Sequence, residues 1–432
     1  MQSAKAICIN SFLTKIRSGL FRRTLVYVFS YFLSSLIGFL LLPILTKYLS
    51  PYDYGIIETF LVLIALLTGI LGWGGNTLLA KEYFKLDCEQ QIKYISNILG
   101  VILVIFLFTL CAFFIFGPFF PNIIKLSKTL LFVALFVSFA DMIITILLVL
   151  FQLEKKTFLY ALFCNSKVLL DLFLSIFFIL VVGLKWEGRI IGITFSSLVF
   201  LFVSFLILKK RKIKFCFSFE HIKRILCIGF PLALSHMSGW TNNMIDKLMI
   251  NNLIGLESTG LYALGYRFGM IVMMLEVSFS RAWLPFFYEN INKNRHKNNI
   301  KIVKVTYIYL IGLIIFSLLY GFFSKHFLFF MVDQKFYVTG QFIFLISLAY
   351  CFDGIQRMFS GYLIYQGKTK SFSGIIFFIA VFNVVANYIL LRKIGLIGAA
   401  WATFLSFLIG AIITIVISIR SHRMPWGLKK VF

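Results

Sequence analysis

Apolar stretches long enough to cross a bilayer follow one another along nearly the whole chain, parted by connections too short to fold alone. A helix of about 20 apolar residues spans the hydrocarbon core and satisfies its own backbone hydrogen bonds there. This pattern restricts the chain to an all-α membrane protein. By that ruler about twelve transmembrane helices are expected. The first half supplies 24–46, 55–80, 95–117, 128–152, 157–183 and 190–208; the second supplies 225–250, 258–288, 303–323, 338–366, 371–391 and 395–419. With 60% hydrophobic and 13% charged residues, no stretch is left for a soluble domain.

The middle of the chain is marked by Lys209-Lys210-Arg211-Lys212-Ile213-Lys214, continuing through Glu220-His221-Ile222-Lys223-Arg224. It divides the sequence into an N-terminal six-helix bundle (1–208), a basic linker (209–224) and a C-terminal six-helix bundle (225–432). Lysine and arginine are held on the cytoplasmic side during insertion, so the linker is expected to be cytoplasmic. Counting outward, the basic residues concentrate in alternate loops, which places both termini on the same side. The net charge of +26 is therefore topological. It comes in short runs with no basic domain to hold a duplex, which excludes nucleic acid as the partner and leaves attraction to anionic membrane lipid. Lys15, Arg17, Arg22 and Arg23 stand where a cleavage site would be needed, so a removed signal peptide is not expected. The 7 cysteines lack metal-like spacing.

The halves echo each other. Phe139-Ala140-Asp141 and the end Gln152-Leu153-Glu154-Lys155-Lys156-Thr157 of the fourth span return as Phe352-Asp353 and Gln366-Gly367-Lys368-Thr369 in the tenth. Asp53-Tyr54-Gly55 is answered by Ser258-Thr259-Gly260, and Gly188 to Gly192 by Gly395 to Gly398. Six spans per half give the copies the same orientation, a parallel pseudo-repeat. Together with Leu49-Ser50-Pro51-Tyr52-Asp53-Tyr54-Gly55, Gly229-Phe230-Pro231 and Asp246-Lys247, these residues resemble the polysaccharide or O-antigen flippases of the multidrug, oligosaccharidyl-lipid and polysaccharide exporter superfamily.

Charge at membrane depth costs about 2.5–3.5 kcal/mol on insertion scales, so each embedded ionisable group needs a partner or a use. Lys167 with Asp171, and Asp353 with Arg357, are spaced i,i+4 and are expected either to neutralise each other or to serve a site. Arg267 has no local partner and is expected to face water, a distant carboxylate or an anionic substrate, while Glu276 faces the other way. Arg281, near the cytoplasmic end, either snorkels or joins a cationic cavity. Asp141 is expected to find a remote cation, hold a proton, or fill a hydrogen-bonded structural role. Gly72, Gly74 and Gly75 in the second span and Pro231 in the seventh read as hinges or as close-packing sites. Asp246-Lys247 reads as an interfacial cap. No phosphate loop, catalytic cluster or cofactor motif is present, so the chain reads as a non-enzyme without a cofactor.

The resemblance implies a bacterial inner-membrane flippase with both termini cytoplasmic, moving an undecaprenyl-pyrophosphate-linked oligosaccharide by alternating access. In that reading Lys167, Arg267, Arg357 and Arg281 would meet pyrophosphate and glycan, and Asp141, Asp171, Asp353 or Glu276 would bind H⁺ or Na⁺. A polysaccharide polymerase and a chain-length regulator would be partners. A multidrug exporter of the same superfamily is the first alternative, and a membrane glycan polymerase or acyltransferase the second.

Overall fold

The computed structural model describes residues 26, 29–30, 33–34, 36–116, 124–213, 218–291, 296–421 and 424–427, except the side chains of 220, 221, 224, 234–236, 281, 282, 285, 296 and 297. The basic residues before Val26, residues 214–217 of the linker and the side chain of Arg281 thus lie outside it.

Among the described residues every regular element is helical. In order they are α1 (Leu42–Tyr48), α2 (Pro51–Gly72), α3 (Gly75–Glu82), α4 (Cys88–Phe116), α5 (Lys128–Leu153), α6 (Thr157–Leu180) and α7 (Trp186–Lys210). There follow α8 (Phe219–Leu253), α9 (Leu256–Gly269), α10 (Ile271–Ile291), α11 (His296–Met331), α12 (Gly340–Tyr365), α13 (Thr369–Ile394) and α14 (Ile397–Ser421). Of the described helices, 9 are long and apolar enough to cross a membrane, and Leu256–Gly269 with Ile271–Ser280, bent by 41°, makes a tenth. The expected seventh span is present as α8, whose 35 residues are long enough but carry Asn242, Asn243, Asp246 and Lys247. The expected first span is described only in part. The fold is that of an all-α membrane protein of about twelve spans.

Local chemistry sets several boundaries. Ser50 and Asp53 form a reciprocal cap at the start of α2, with Asp53 N–H donating to Ser50 Oγ at 3.1 Å and Ser50 N–H to Asp53 Oδ2 at 3.0 Å. Pro51 stands at the first helical position, where its missing N–H costs nothing. The repeat is visible in the turns. Lys155 (φ 59°) and Gly367 (φ 72°) close the fourth and tenth spans in the left-handed region, and Gly183 (φ 78°) and Gly395 (φ 66°) the fifth and eleventh. Lys156 N–H to Phe151 O (2.8 Å) is matched by Lys368 N–H to Leu363 O (2.9 Å).

The chain forms two compact units, neither continuous in sequence. One comprises the described residues up to Leu42 with Leu71–Leu110 and Leu135–Leu232; its core joins Leu79, Ile98 and Leu99 to Met142, Leu147, Phe163 and Leu208. The other comprises the described residues of Pro43–Ile70, Cys111–Ala134 and Ala233–Phe432. Its core is aromatic, built on Tyr262, Tyr266, Trp283, Phe287, Phe342, Tyr350 and Tyr362. Outer faces carry large apolar groups, among them Phe158, Phe173, Phe322 and Phe330, which water would not tolerate in such number and hydrocarbon does.

Candidate functional site

In the second unit α2 and α9 cross almost backbone to backbone. A Cβ on Gly55 would run into Leu256 O, and one on Gly260 into Pro51 O. These glycines belong to the two segments that echo one another in sequence, and here they touch. One turn past Gly55 stands Glu58, and two turns past Gly260 stands Arg267, so the crossing brings the carboxylate to the guanidinium. Arg267 pairs with Glu58 Oε1, and Lys247 Nζ from α8 reaches Glu58 Oε2 at 3.2 Å. The preceding residue, Asp246, accepts from the Lys247 N–H at 2.8 Å and from the Tyr262 hydroxyl at 2.7 Å. Tyr350 donates to the Tyr266 hydroxyl at 2.8 Å, and the Tyr266 ring lies 5.1 Å from the Lys247 ammonium. Glu58, Asp246 and Lys247 are buried; the Arg267 side chain keeps 28% of its surface. Two anions balance two cations, and Arg267 is the accessible one.

Arg267 thus has the distant carboxylate that its isolation calls for. Asp246-Lys247 is not an interfacial cap: both are buried, because Glu58 and Tyr262 supply the partners that make burial tolerable. Glu58 itself escaped the sequence reading. The signal was there, an acid four residues into an apolar span, but it stands close enough to the end to be taken for a solvated one.

A second cluster in the same unit joins α10 and α12. Arg357 pairs with Asp353 at 2.8 Å, as the i,i+4 spacing predicts, and its Nε also meets Glu276 Oε1 at 3.1 Å. Glu276 is fully buried, whereas Arg357 is 45% exposed. Gly354 leaves a space beside them, where a Cβ would stand 2.9 Å from the Tyr309 hydroxyl oxygen and 3.0 Å from Glu276 Cβ. Two carboxylates share one guanidinium, so fully ionised the cluster carries one negative charge in excess.

The first unit resolves the other embedded charges differently from the i,i+4 expectation. Lys167 turns to Asp141 on α5 (2.5 Å), whose Oδ1 also accepts from Ser197 Oγ at 2.9 Å. Asp171 is taken by Arg189 on α7 (2.5 Å), with Ser175 bonded to both. Lysine four residues before an acid is the weaker order on a helix, and partners on packed neighbours outbid it. Arg189, with 12% of its side-chain surface left, therefore belongs to the interior set.

The expected hinge residues also meet. α2 ends at Gly72, Trp73 (φ 43°) and Gly74 (φ 72°) take left-handed conformations, and α3 restarts at Gly75. Trp73 Nε1 donates to Leu226 O at 3.0 Å, and its ring lies 5.9 Å from that of Phe230, beside Pro231 inside α8. Gly229 permits the approach: a Cβ there would stand 2.7 Å from Trp73 Cδ1. Arg281 is on α10, its side chain outside the described set.

Ionisable groups buried among apolar spans mark a functional site rather than plain scaffolding, and comparison with known proteins gives the fold and the family. The fold is similar to that of the lipid II flippase MurJ in an inward closed conformation (TM-score 0.76, 18% identity, 95% of this chain and 89% of that one). It is also similar to an inward-facing multidrug resistance MATE family transporter of the MOP superfamily (TM-score 0.67, 15% identity, 91% and 94%). In sequence, the chain is 24% identical over 296 residues to the Lsg locus putative protein 1 of Haemophilus influenzae, covering 64% of this chain and 67% of that protein. The family described as "Polysaccharide biosynthesis protein" matches residues 20–291, and the MatE family residues 231–389. The chain belongs to the polysaccharide biosynthesis protein family.

Proposed function

We propose that this protein is a flippase that carries an undecaprenyl-pyrophosphate-linked oligosaccharide, a repeat unit of a surface polysaccharide, from the cytoplasmic to the outer leaflet of a bacterial inner membrane. The observation that carries the reading is the Arg267 site. A guanidinium that keeps part of its surface accessible, held by a buried carboxylate shared with Lys247, is a ready receptor for pyrophosphate. Lys167 and Arg357 would add to the cationic lining, Arg281 being the further candidate. The two six-helix halves, 1–208 and 225–432 joined by the linker 209–224, would rock against each other, with Gly72 to Gly75 and Pro231 as hinges. Both termini would be cytoplasmic, and membrane lipid would hold the polyprenyl chain.

Coupling to H⁺ or Na⁺ fits Glu276 and Asp353 best, because their cluster has a negative charge to spare. Asp141 and Asp171, each already matched by an internal cation, are the weaker candidates. A polysaccharide polymerase and a chain-length regulator would act on the product. Export of drugs is the second reading, favoured by the MatE match over 231–389; a site for cationic drugs should not present Arg267.

Deletion of the gene in its host tests the choice. Loss of surface glycan with build-up of lipid-linked units, both reversed by a plasmid copy, is expected. Unchanged glycan together with increased drug sensitivity would move the assignment to drug export.

A further inference from the structure

The Arg267 cluster and the Glu276 cluster stand on one broken span. α9 and α10 are bent by 41° across Met270, with Arg267 just before the break and Glu276 just after it. The halves are held unequally. α9 is gripped on nearly all sides: Gly260 lies against Pro51, Gly265 is so close to Thr339 that a Cβ would stand 2.8 Å from its carbonyl oxygen, and Tyr262 and Phe268 are fully buried. α10 begins with the half-buried, pliant Met273 and Met274 and exposes Leu275 and Leu284. Just before the break the Phe268 carbonyl accepts the Tyr320 hydroxyl from α11 at 2.8 Å, a side-chain bond where the span bends.

We propose that this span is a hinged lever: α9 is the anchored half, clamped by the Arg267–Glu58 pair, and α10 is the swinging half, whose position follows the charge on Glu276. The inference rests on the alternating-access reading above. Glu276 faces Asp353 and Arg357 of α12 and Tyr309 of α11. With the carboxylate charged, Arg357 is divided between two anions; with it neutral, Arg357 is left to Asp353, and α10 loses its ion pair to α12 while the Phe287–Tyr362 ring contact farther along remains. From the other side, an anion that draws Arg267 off Glu58 loosens the clamp just before the break. Occupancy of the two clusters is thereby linked, and linkage is reciprocal.

Spin labels at Leu284→Cys on α10 and Ile412→Cys on α14, in a chain with its native cysteines replaced and held in lipid nanodiscs, read the swing without any substrate. Leu284 lies about 20 Å beyond the break at 1.5 Å rise, so each 10° of swing moves it about 3.5 Å. E276Q is expected to shift the distance distribution, E58Q to shift it as well, and the double variant to depart from the sum of the two. Y320F, which removes one hydroxyl and keeps the ring, is expected to broaden it. An unchanged distribution in E276Q and Y320F, with both proteins monodisperse, overturns the lever; so do additive shifts. Because the readout involves no glycan, a failed deletion phenotype would remove the flippase reading and leave this result standing.

Discussion

Glu58 shows how much one carboxylate can organise. It is buried and serves two cations, Lys247 and Arg267, that differ in access: their side chains keep 5% and 28% of their surface. Removing one partner of a buried pair costs about 3–5 kcal/mol, because the other charge is stranded. Glu58→Gln is therefore expected to lower the unfolding temperature in detergent markedly, since Lys247 has no route to water. Arg267→Gln is expected to cost less in stability while abolishing restoration of surface glycan in the deletion strain. The Asp141–Lys167 pair makes a separate prediction. Asp141→Asn and Lys167→Gln should each destabilise the protein, and the double variant should recover part of the loss, with a coupling of about 0.5–3 kcal/mol measured by a thermal-unfolding cycle. A cycle with no coupling would mean that the pair contributes nothing.

At the level of elements, glycine decides which helices meet. The α2–α9 crossing exists because neither Gly55 nor Gly260 has a Cβ. Gly260→Leu is expected to lose folded protein outright, as judged by gel filtration, since overpacking that costs about 1–3 kcal/mol against yielding side chains meets a backbone carbonyl here. Gly69→Ala in α2, with nothing within 4 Å of the added carbon, is expected to be neutral or to gain up to about 1 kcal/mol of helix propensity. The turns differ in kind: Gly367 and Lys155 take equivalent left-handed positions, filled by a glycine in one half and by a lysine in the other, and no neighbour stands within 4 Å of a Cβ at Gly367.

For the molecule as a whole, orientation is the property that everything else presupposes. A cysteine at Lys212, in the linker, is expected to react with a membrane-impermeant maleimide only from the cytoplasmic side, and one at Lys185, between α6 and α7, only from the opposite side. The reverse pattern would invert the direction of transport. The length and apolarity of most spans and the need of Arg267 for something beyond its own helix, be it water, a carboxylate or an anionic substrate, are set by local chemistry, and the sequence alone determined them. It could not say that the partner is Glu58, 209 residues away, that Lys167 prefers Asp141 to the neighbouring Asp171, or that Asp246 and Lys247 are interior. Those are matters of how each helix is rotated and where it crosses the next. Periodicity names the residues that share a face; only the packed contacts, Gly55 against α9 and Gly192 against Ser175 among them, decide which face meets which.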